Sequence, residues 1–166
     1  MESKAIFLDR DGVINHERKD YVKNINEFII FEGVSEAIKI LKEYNFLVII
    51  ITNQSAINRK LLSVKRLNEI HSYLQNHLKK NHTFVDAIYY CPHTPKENCS
   101  CRKPKPGMIL KAVNDFNINL KNSHLIGNSQ HDVQAAKLAR CNGILLNKNQ
   151  NLLEVTKKLV TGLKNS

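Results

Sequence analysis

Two aspartates one residue apart, Asp9 and Asp11, are followed at once by Gly12 and preceded by the apolar run Ala5 to Leu8. Glycine permits a tight turn. At the end of a strand this spacing aims both carboxylates into one cleft. Such a pair suits phosphoryl transfer, which needs an in-line nucleophile, a cation to offset phosphate charge and an acid for the departing oxygen. Asp9 could attack phosphorus to give an aspartyl-phosphate, and Asp11 could protonate the leaving group. Asp-x-Asp-Gly is also an ordinary turn and a calcium-type loop, so the pair by itself leaves these readings open.

A second constellation lies further along. Cys91, His93, Cys99 and Cys101 supply three soft thiolates and one imidazole within eleven residues. This set suits tetrahedral zinc, and with four protein ligands no position remains for water, so the expected site is structural. Its purpose would be to pin a loop that lacks a core. It would also present Arg102 and Lys103, which follow the last ligand, to a phosphate. Cys141 stands apart and is expected to be a small buried apolar residue.

The elements that must position these groups belong to a chain of 166 residues, enough for one domain (1–166) with a real core. Hydrophobic content of 42% with 24% charged residues is ordinary for a globular protein. The run Phe46 to Ile51 is far too short to cross a bilayer, so no membrane partner is expected. Met1-Glu2-Ser3-Lys4 shows no signal-peptide pattern, which makes the expected location cytoplasmic and its thiols reduced.

The net charge of +10 invites an anionic partner. The lysines are spread along the chain, Arg102-Lys103-Pro104-Lys105 being the tight cluster, and aromatic content is 7%. That is a poor stacking platform for nucleic acid. A small multiply phosphorylated substrate is another candidate, and simple decoration of the surface by lysines is a third reading, so the charge alone decides nothing; a monomer is expected.

Short apolar runs alternate with amphipathic stretches, the pattern of an α/β fold with a parallel sheet. Strands are predicted over Ala5–Leu8, Phe46–Ile51, Val85–Tyr90, His124–Gly127 and Gly143–Leu146. Val34, Ala37, Ile38 and Leu41 recur at helical spacing after Gly33. Ser63 to Lys80 reads as a helix capped by Ser63, with Val64, Leu67, Ile70, Leu74 and Leu78 on one face. Further helices are predicted from near Pro106 to Phe116, from His131 to Cys141 with Asn142-Gly143 as terminator, and over Leu152–Leu163. Asp9, Thr52-Asn53 and Asn128 each follow a predicted strand. The carboxyl ends of parallel strands lie together and form the ligand crevice, so these segments are expected to meet.

Phe7-Leu8-Asp9-Arg10-Asp11-Gly12-Val13 resembles the first motif of the haloacid-dehalogenase-like phosphatases, and Ile51-Thr52-Asn53-Gln54-Ser55 resembles the second. Lys103 falls at the lysine of the third, and Gly127-Asn128-Ser129-Gln130-His131-Asp132 at the fourth. The resemblance runs from about residue 5 to 146. It implies a single Rossmann-like domain with a central parallel sheet flanked by helices. It also implies Asp9, Asp11, Thr52 and Lys103 as catalytic residues. Magnesium would be held by the Asp9 carboxylate, the Asp11 backbone carbonyl and an acidic residue of the fourth motif. No large cap domain fits between Asp11 and Thr52.

The loop Cys91-Pro92-His93 followed by Cys99-Ser100-Cys101-Arg102-Lys103-Pro104-Lys105-Pro106-Gly107-Met108 resembles the heptose bisphosphate phosphatases and the related histidinol-phosphate phosphatases. Ser55 after Gln54, Asp20-Tyr21-Val22 and Arg59 resemble the heptose branch. That implies the 7-phosphate of a heptose 1,7-bisphosphate as substrate, with Asn53, Gln54, Arg59 and Arg102 as substrate-binding candidates. Histidinol phosphate, a nucleic-acid 3′-phosphate, or a catalytically impaired phosphate-binding module are the alternatives.

The fourth motif departs from the family pattern, with Asn128-Ser129 where an aspartate and a basic residue are usual, and Ala56 and Lys60 replace glycines after the second. An amide oxygen can coordinate magnesium but brings no charge. Asp132 lies one helical turn beyond Asn128 on roughly the same face. Three outcomes stay open: Asp132 supplies the acidic ligand, metal binding is weakened, or catalysis is lost. The expected result is weaker magnesium affinity and reduced turnover.

Overall fold

In a computed structural model, which describes residues 2–164, five strands alternate with five α-helices. They are β1 (Lys4–Leu8), α1 (Val34–Glu43), β2 (Phe46–Asn53), α2 (Val64–Lys80), β3 (Ala87–Cys91), α3 (Gly107–Phe116), β4 (His124–Gly127), α4 (Gln130–Ala139), β5 (Asn142–Leu145) and α5 (Leu152–Lys164). The strands form one parallel sheet in the order β3-β2-β1-β4-β5.

Both faces of the sheet are covered, which explains why its central strands read as continuous apolar runs. Ile6, Leu8, Val48 and Ile50 face one core with Ile38 and Leu41 of α1 and Leu67, Ile70 and Leu74 of α2. Ala5, Phe7, Ile49 and Ile51 face the other, with Met108 and Ile109 of α3 and Ala135 and Ala136 of α4. The alternation follows from the two-residue period of a strand.

The chain winds outward from β1 through β2 to β3, then returns to β4 on the other side of β1. The strand order therefore reverses between β1 and β4, and a crevice opens there at the carboxyl ends. Between β1 and α1 the chain carries a 3-10 turn, Ile25–Glu27, over buried Val22 and Phe28, and no cap domain is present in that segment.

Three local expectations change. The α2 cap is as predicted, with Ser63 Oγ accepting from the Arg66 amide at 3.2 Å. Val64, in the first turn, is 45% exposed, whereas His71 joins the buried face. The next helix predicted to reach Cys141 stops at Ala139. Arg140 takes a left-handed conformation (φ 62), and the amide of Cys141 donates back to Ala136 O at 2.9 Å. That is a Schellman-type ending made without glycine. Asn142 and Gly143, predicted to be the terminator, instead open β5, where they pair with His124 and Leu125. Strand β3 starts later than predicted and takes in Cys91, which places the first thiol at a strand end.

Candidate active site

Asp9 follows β1, Thr52 and Asn53 end β2, Lys103 lies in the loop after β3, and Asn128 follows β4. Asp9, Asp11, Thr52, Lys103 and Asn128 all line one cavity of about 390 Å³ at the carboxyl edge. The catalytic residues expected from the sequence are thus brought together.

Lys103 is its electrostatic centre. The ammonium is 4% exposed, lies 2.8 Å from Asp9 Oδ1 and 2.7 Å from Asp132 Oδ1, and donates to Ile51 O at 2.9 Å. Burial alone would lower its pKa, but Asp9 and Asp132 outweigh that and hold it above the usual lysine value. Burial pushes the Asp9 carboxyl up to about 6, with Lys103 pulling against the rise and Asp132 adding to it. The Arg10 amide also donates to Asp9 Oδ1 at 2.8 Å, so both close contacts to Asp9 fall on the same oxygen.

Asp11 is held on both of its oxygens. Arg10 Nη2 reaches Oδ1 and Oδ2 at 2.9 and 3.0 Å, Asn15 Nδ2 donates to Oδ1 at 2.9 Å, and Gln54 Nε2 donates to Oδ2 at 2.7 Å. Burial would raise its pKa, yet the Arg10 charge and these donors bring it below the ordinary aspartate value.

Two residues expected to contact substrate have their side chains committed to the protein. Gln54 is 3% exposed, and its amide nitrogen is shared between Asp11 and Thr52 Oγ1, the latter at 2.9 Å. Asn53 clamps the backbone of Lys103, donating to its carbonyl at 3.1 Å and accepting from its amide at 3.0 Å. Both residues also line the cavity. Arg59 and Arg102 line the cavity as well. Arg102 is tied to the cysteine loop by Nη1 donating to His93 O at 3.1 Å, and Arg59 Nε donates to Ser55 Oγ at 3.4 Å.

Asp132 stands behind the site. It is fully buried, with Oδ1 on the Lys103 ammonium and Oδ2 accepting from the Ser129 amide at 3.1 Å and hydroxyl at 2.7 Å. With the Ser129 hydroxyl it closes a capping box at the start of α4. The acidic metal contact expected from Asp132 is therefore not what this geometry presents. The side chain of Asn128 lies against the Asp11-Gly12 turn so closely that a Cβ at Gly12 would meet its Nδ2. Of the residues expected to hold a cation, Asp9, Asp11 and Asn128 line the cavity. If the Asp9 carboxylate, the Asp11 carbonyl and the Asn128 amide oxygen held a cation, the all-oxygen set would fit a hard one such as magnesium and would carry a single carboxylate charge.

The second constellation also assembles. The ligand atoms of Cys91, His93, Cys99 and Cys101 all lie within 4.8 Å of one another and could hold a metal ion. Cys101 Sγ is 3.1 Å from Cys91 Sγ and 3.5 Å from Cys99 Sγ, and His93 Nδ1 is 3.3 Å from Cys101 Sγ. Burial works against a Cys99 thiolate. The Arg102 amide at 3.3 Å and the neighbouring thiols nevertheless bring its pKa down to about 7. Cys141 is buried, as expected, and its thiol donates to Ser123 O at 3.2 Å.

Arg18 and Lys19, which line the cavity, carried no recognised signal in the sequence, whereas Tyr21 and His131 fall inside segments that carried the resemblance. Arg18, Lys19 and Tyr21 reach the cavity from the loop after β1, and His131 reaches it from α4. Tyr21 does so with a left-handed backbone (φ 66). For Arg18 and Lys19 the one available hint is their place in the segment that follows a strand end.

The haloacid dehalogenase-like hydrolase family matches residues 5–146, and the chain belongs to that family. Among curated relatives, the D-glycero-beta-D-manno-heptose-1,7-bisphosphate 7-phosphatase of Neisseria meningitidis serogroup A is 42% identical over 132 residues, covering 80% of this chain and 71% of the relative. That of Helicobacter pylori strain J99 is 42% identical over 149 residues, covering 89% and 85%. The crystal structure of D,D-heptose 1,7-bisphosphate phosphatase from B. bronchiseptica, complexed with magnesium and phosphate, superposes with a TM-score of 0.89 at 33% identity, covering 96% of this chain and 99% of that one.

Proposed function

We propose that the chain hydrolyses a sugar phosphate through an aspartyl-phosphate on Asp9, its substrate being D-glycero-D-manno-heptose 1,7-bisphosphate, which loses the 7-phosphate. The observation that carries this reading is the meeting of Asp9, Asp11, Thr52 and Lys103 at one cavity, in a chain whose relatives named for that reaction match 80–89% of it. The cavity suits a multiply phosphorylated ligand, since Arg18, Lys19, Arg59, Arg102 and Lys103 all line it.

In the first step Asp9 attacks phosphorus in line with the ester oxygen, forming the acyl-phosphate bond as the P–O bond breaks. The Lys103 ammonium favours the ionised nucleophile and offsets charge on the phosphoryl oxygens. Thr52 Oγ1 already accepts from Gln54, so its own hydrogen is directed to another acceptor, here a phosphoryl oxygen. Asp11 gives a proton to the leaving alkoxide. The resting site stores Asp11 ionised, so that proton arrives with the substrate, whose phosphate has its second pKa at about 6. In the second step Asp11 takes a proton from the water that attacks phosphorus, which releases inorganic phosphate and restores Asp9, and Asp11 then passes that proton to solvent and returns to its ionised form. Magnesium, held by Asp9, the Asp11 carbonyl and Asn128, would supply positive charge against the transferring group.

The Cys91, His93, Cys99 and Cys101 cluster is read as a structural zinc site. Its sulfur–sulfur contacts of 3.1, 3.5 and 3.6 Å approach the edge of about 3.8 Å expected of a tetrahedron with Zn–S bonds of about 2.3 Å. The site would fix the loop on which Arg102 and Lys103 ride. Phosphate release from the heptose bisphosphate tests the reading, with histidinol phosphate and a 3′-phosphorylated oligonucleotide as competing substrates. Faster turnover of either competitor would replace the heptose assignment.

A further inference from the structure

His71 is a buried titratable residue that the chemistry above does not use. It lies on α2 among Leu67, Ile70 and Leu74, 9% exposed. Its Nε2 stands 3.3 Å from Arg10 Nη1. A guanidinium offers only N–H donors, so Nε2 is the acceptor and the ring is neutral with its hydrogen on Nδ1. Arg10 itself is fully buried, with its guanidinium 5.5 Å from the Phe28 ring centroid.

A guanidinium in a core is costly unless its charge is paired, and an apolar side chain of similar volume would often serve stability as well or better. The acidic group paired with Arg10 is Asp11, gripped by Nη2 on both oxygens. Arg10 is thus fixed on one side by a neutral imidazole and an aromatic ring, and on the other it fixes a carboxylate. The line His71–Arg10–Asp11 runs from the core face of α2 to the cavity wall.

We propose that Arg10, seated by His71 and Phe28, is the positioning residue for Asp11, setting where its carboxylate stands relative to the leaving oxygen. The proposal rests on reading Asp11 as the acid. It explains why the residue between two chemically active aspartates is itself buried. It also assigns a role to a histidine on the core face of a helix far along the chain. Asn15 and Gln54 complete the grip but are neutral, so Arg10 is the member that carries charge.

The test compares kcat on heptose 1,7-bisphosphate with kcat on p-nitrophenyl phosphate. A nitrophenolate leaves without much help from an acid, whereas a primary alkoxide needs the proton. In Arg10→Met the ratio of the two should fall about 10- to 100-fold, since a misplacement near 1 Å costs about 10²-fold. His71→Leu should lower the ratio in the same direction, and His71→Gln, whose amide oxygen can accept from Arg10, should return it toward wild type. If Arg10→Met does not fold, the His71 pair decides. Equal losses on both substrates would reduce Arg10 and His71 to core residues and overturn the proposal. Asp11→Asn separates the two levels. An unchanged ratio there overturns the acid assignment together with the proposal. A collapsed ratio there, with unchanged ratios in the Arg10 and His71 variants, overturns the positioning role alone. The ratio reads equally on any primary alkyl phosphate that the wild type accepts.

Discussion

Lys103 Nζ lies 2.7 Å from Asp132 Oδ1, and that carboxylate is fully buried in the first turn of α4. The pair ties the loop after β3 to the helix after β4, across the point where the strand order reverses. One side chain thereby serves as lysine anchor and as part of a helix cap. Asp132→Ala removes both roles while leaving Asp9 against the ammonium. Breaking a buried pair costs about 3–5 kcal/mol, and the low end is expected because Asp9 remains. At about 2–4 °C per kcal/mol for a chain of this size, Tm should fall by roughly 6–12 °C. A thermal melt checks this, and an unchanged Tm would show that Lys103 is held well enough by Asp9 and Ile51 O.

On the proposed reading of the site, Asp9 is the single carboxylate offered to magnesium. Asn128 lines the cavity and packs on Gly12, while Asp132 is turned away to Lys103. Adding a carboxylate at this position should strengthen cation binding, because affinity at oxygen sites follows ligand charge. Asn128→Asp is expected to tighten magnesium about 10-fold or more, read by calorimetric titration of the protein without substrate. Activity at limiting magnesium should rise with it. Superimposable titrations for the two proteins would contradict the assignment of Asn128 to the metal.

The cysteine cluster should bind one zinc per chain, measurable by elemental analysis. Cys101→Ser should lose that zinc and on the order of 5 kcal/mol or more of stability, since binding to a site that the unfolded chain lacks is folding free energy. Turnover should fall as well, because Lys103 follows the last ligand by two residues. A zinc-free protein that is fully folded and active would defeat the structural role.

What the sequence disclosed and what it withheld divide along a physical line. Strand ends, helix faces and ligand-type clusters are local patterns, and Asp9 and the Cys91–Cys101 loop stood out because each sits within such a pattern, whereas the roles expected of Thr52 and Lys103 came from the motifs they resemble. The partners of those residues are set by packing between distant elements. Nothing near position 71 shows that His71 would meet Arg10, 61 residues away. Asn53 and Gln54 looked like substrate contacts because they follow Thr52. Both line the cavity, and their side-chain amides also bind Lys103 and Asp11, which come from other strands' loops, a pairing the sequence did not disclose. Helix ends misled for a similar reason. Arg140 closes α4 in a left-handed conformation because Asn142 must already pair with β4.

The most direct test of the account is phosphate release from D-glycero-D-manno-heptose 1,7-bisphosphate, with and without magnesium, beside an Asp9→Asn control. The account predicts magnesium-dependent loss of one phosphate by the wild type and none measurable by Asp9→Asn, whose amide cannot act as the nucleophile. Turnover that survives Asp9→Asn, or that ignores magnesium throughout a titration, would contradict it.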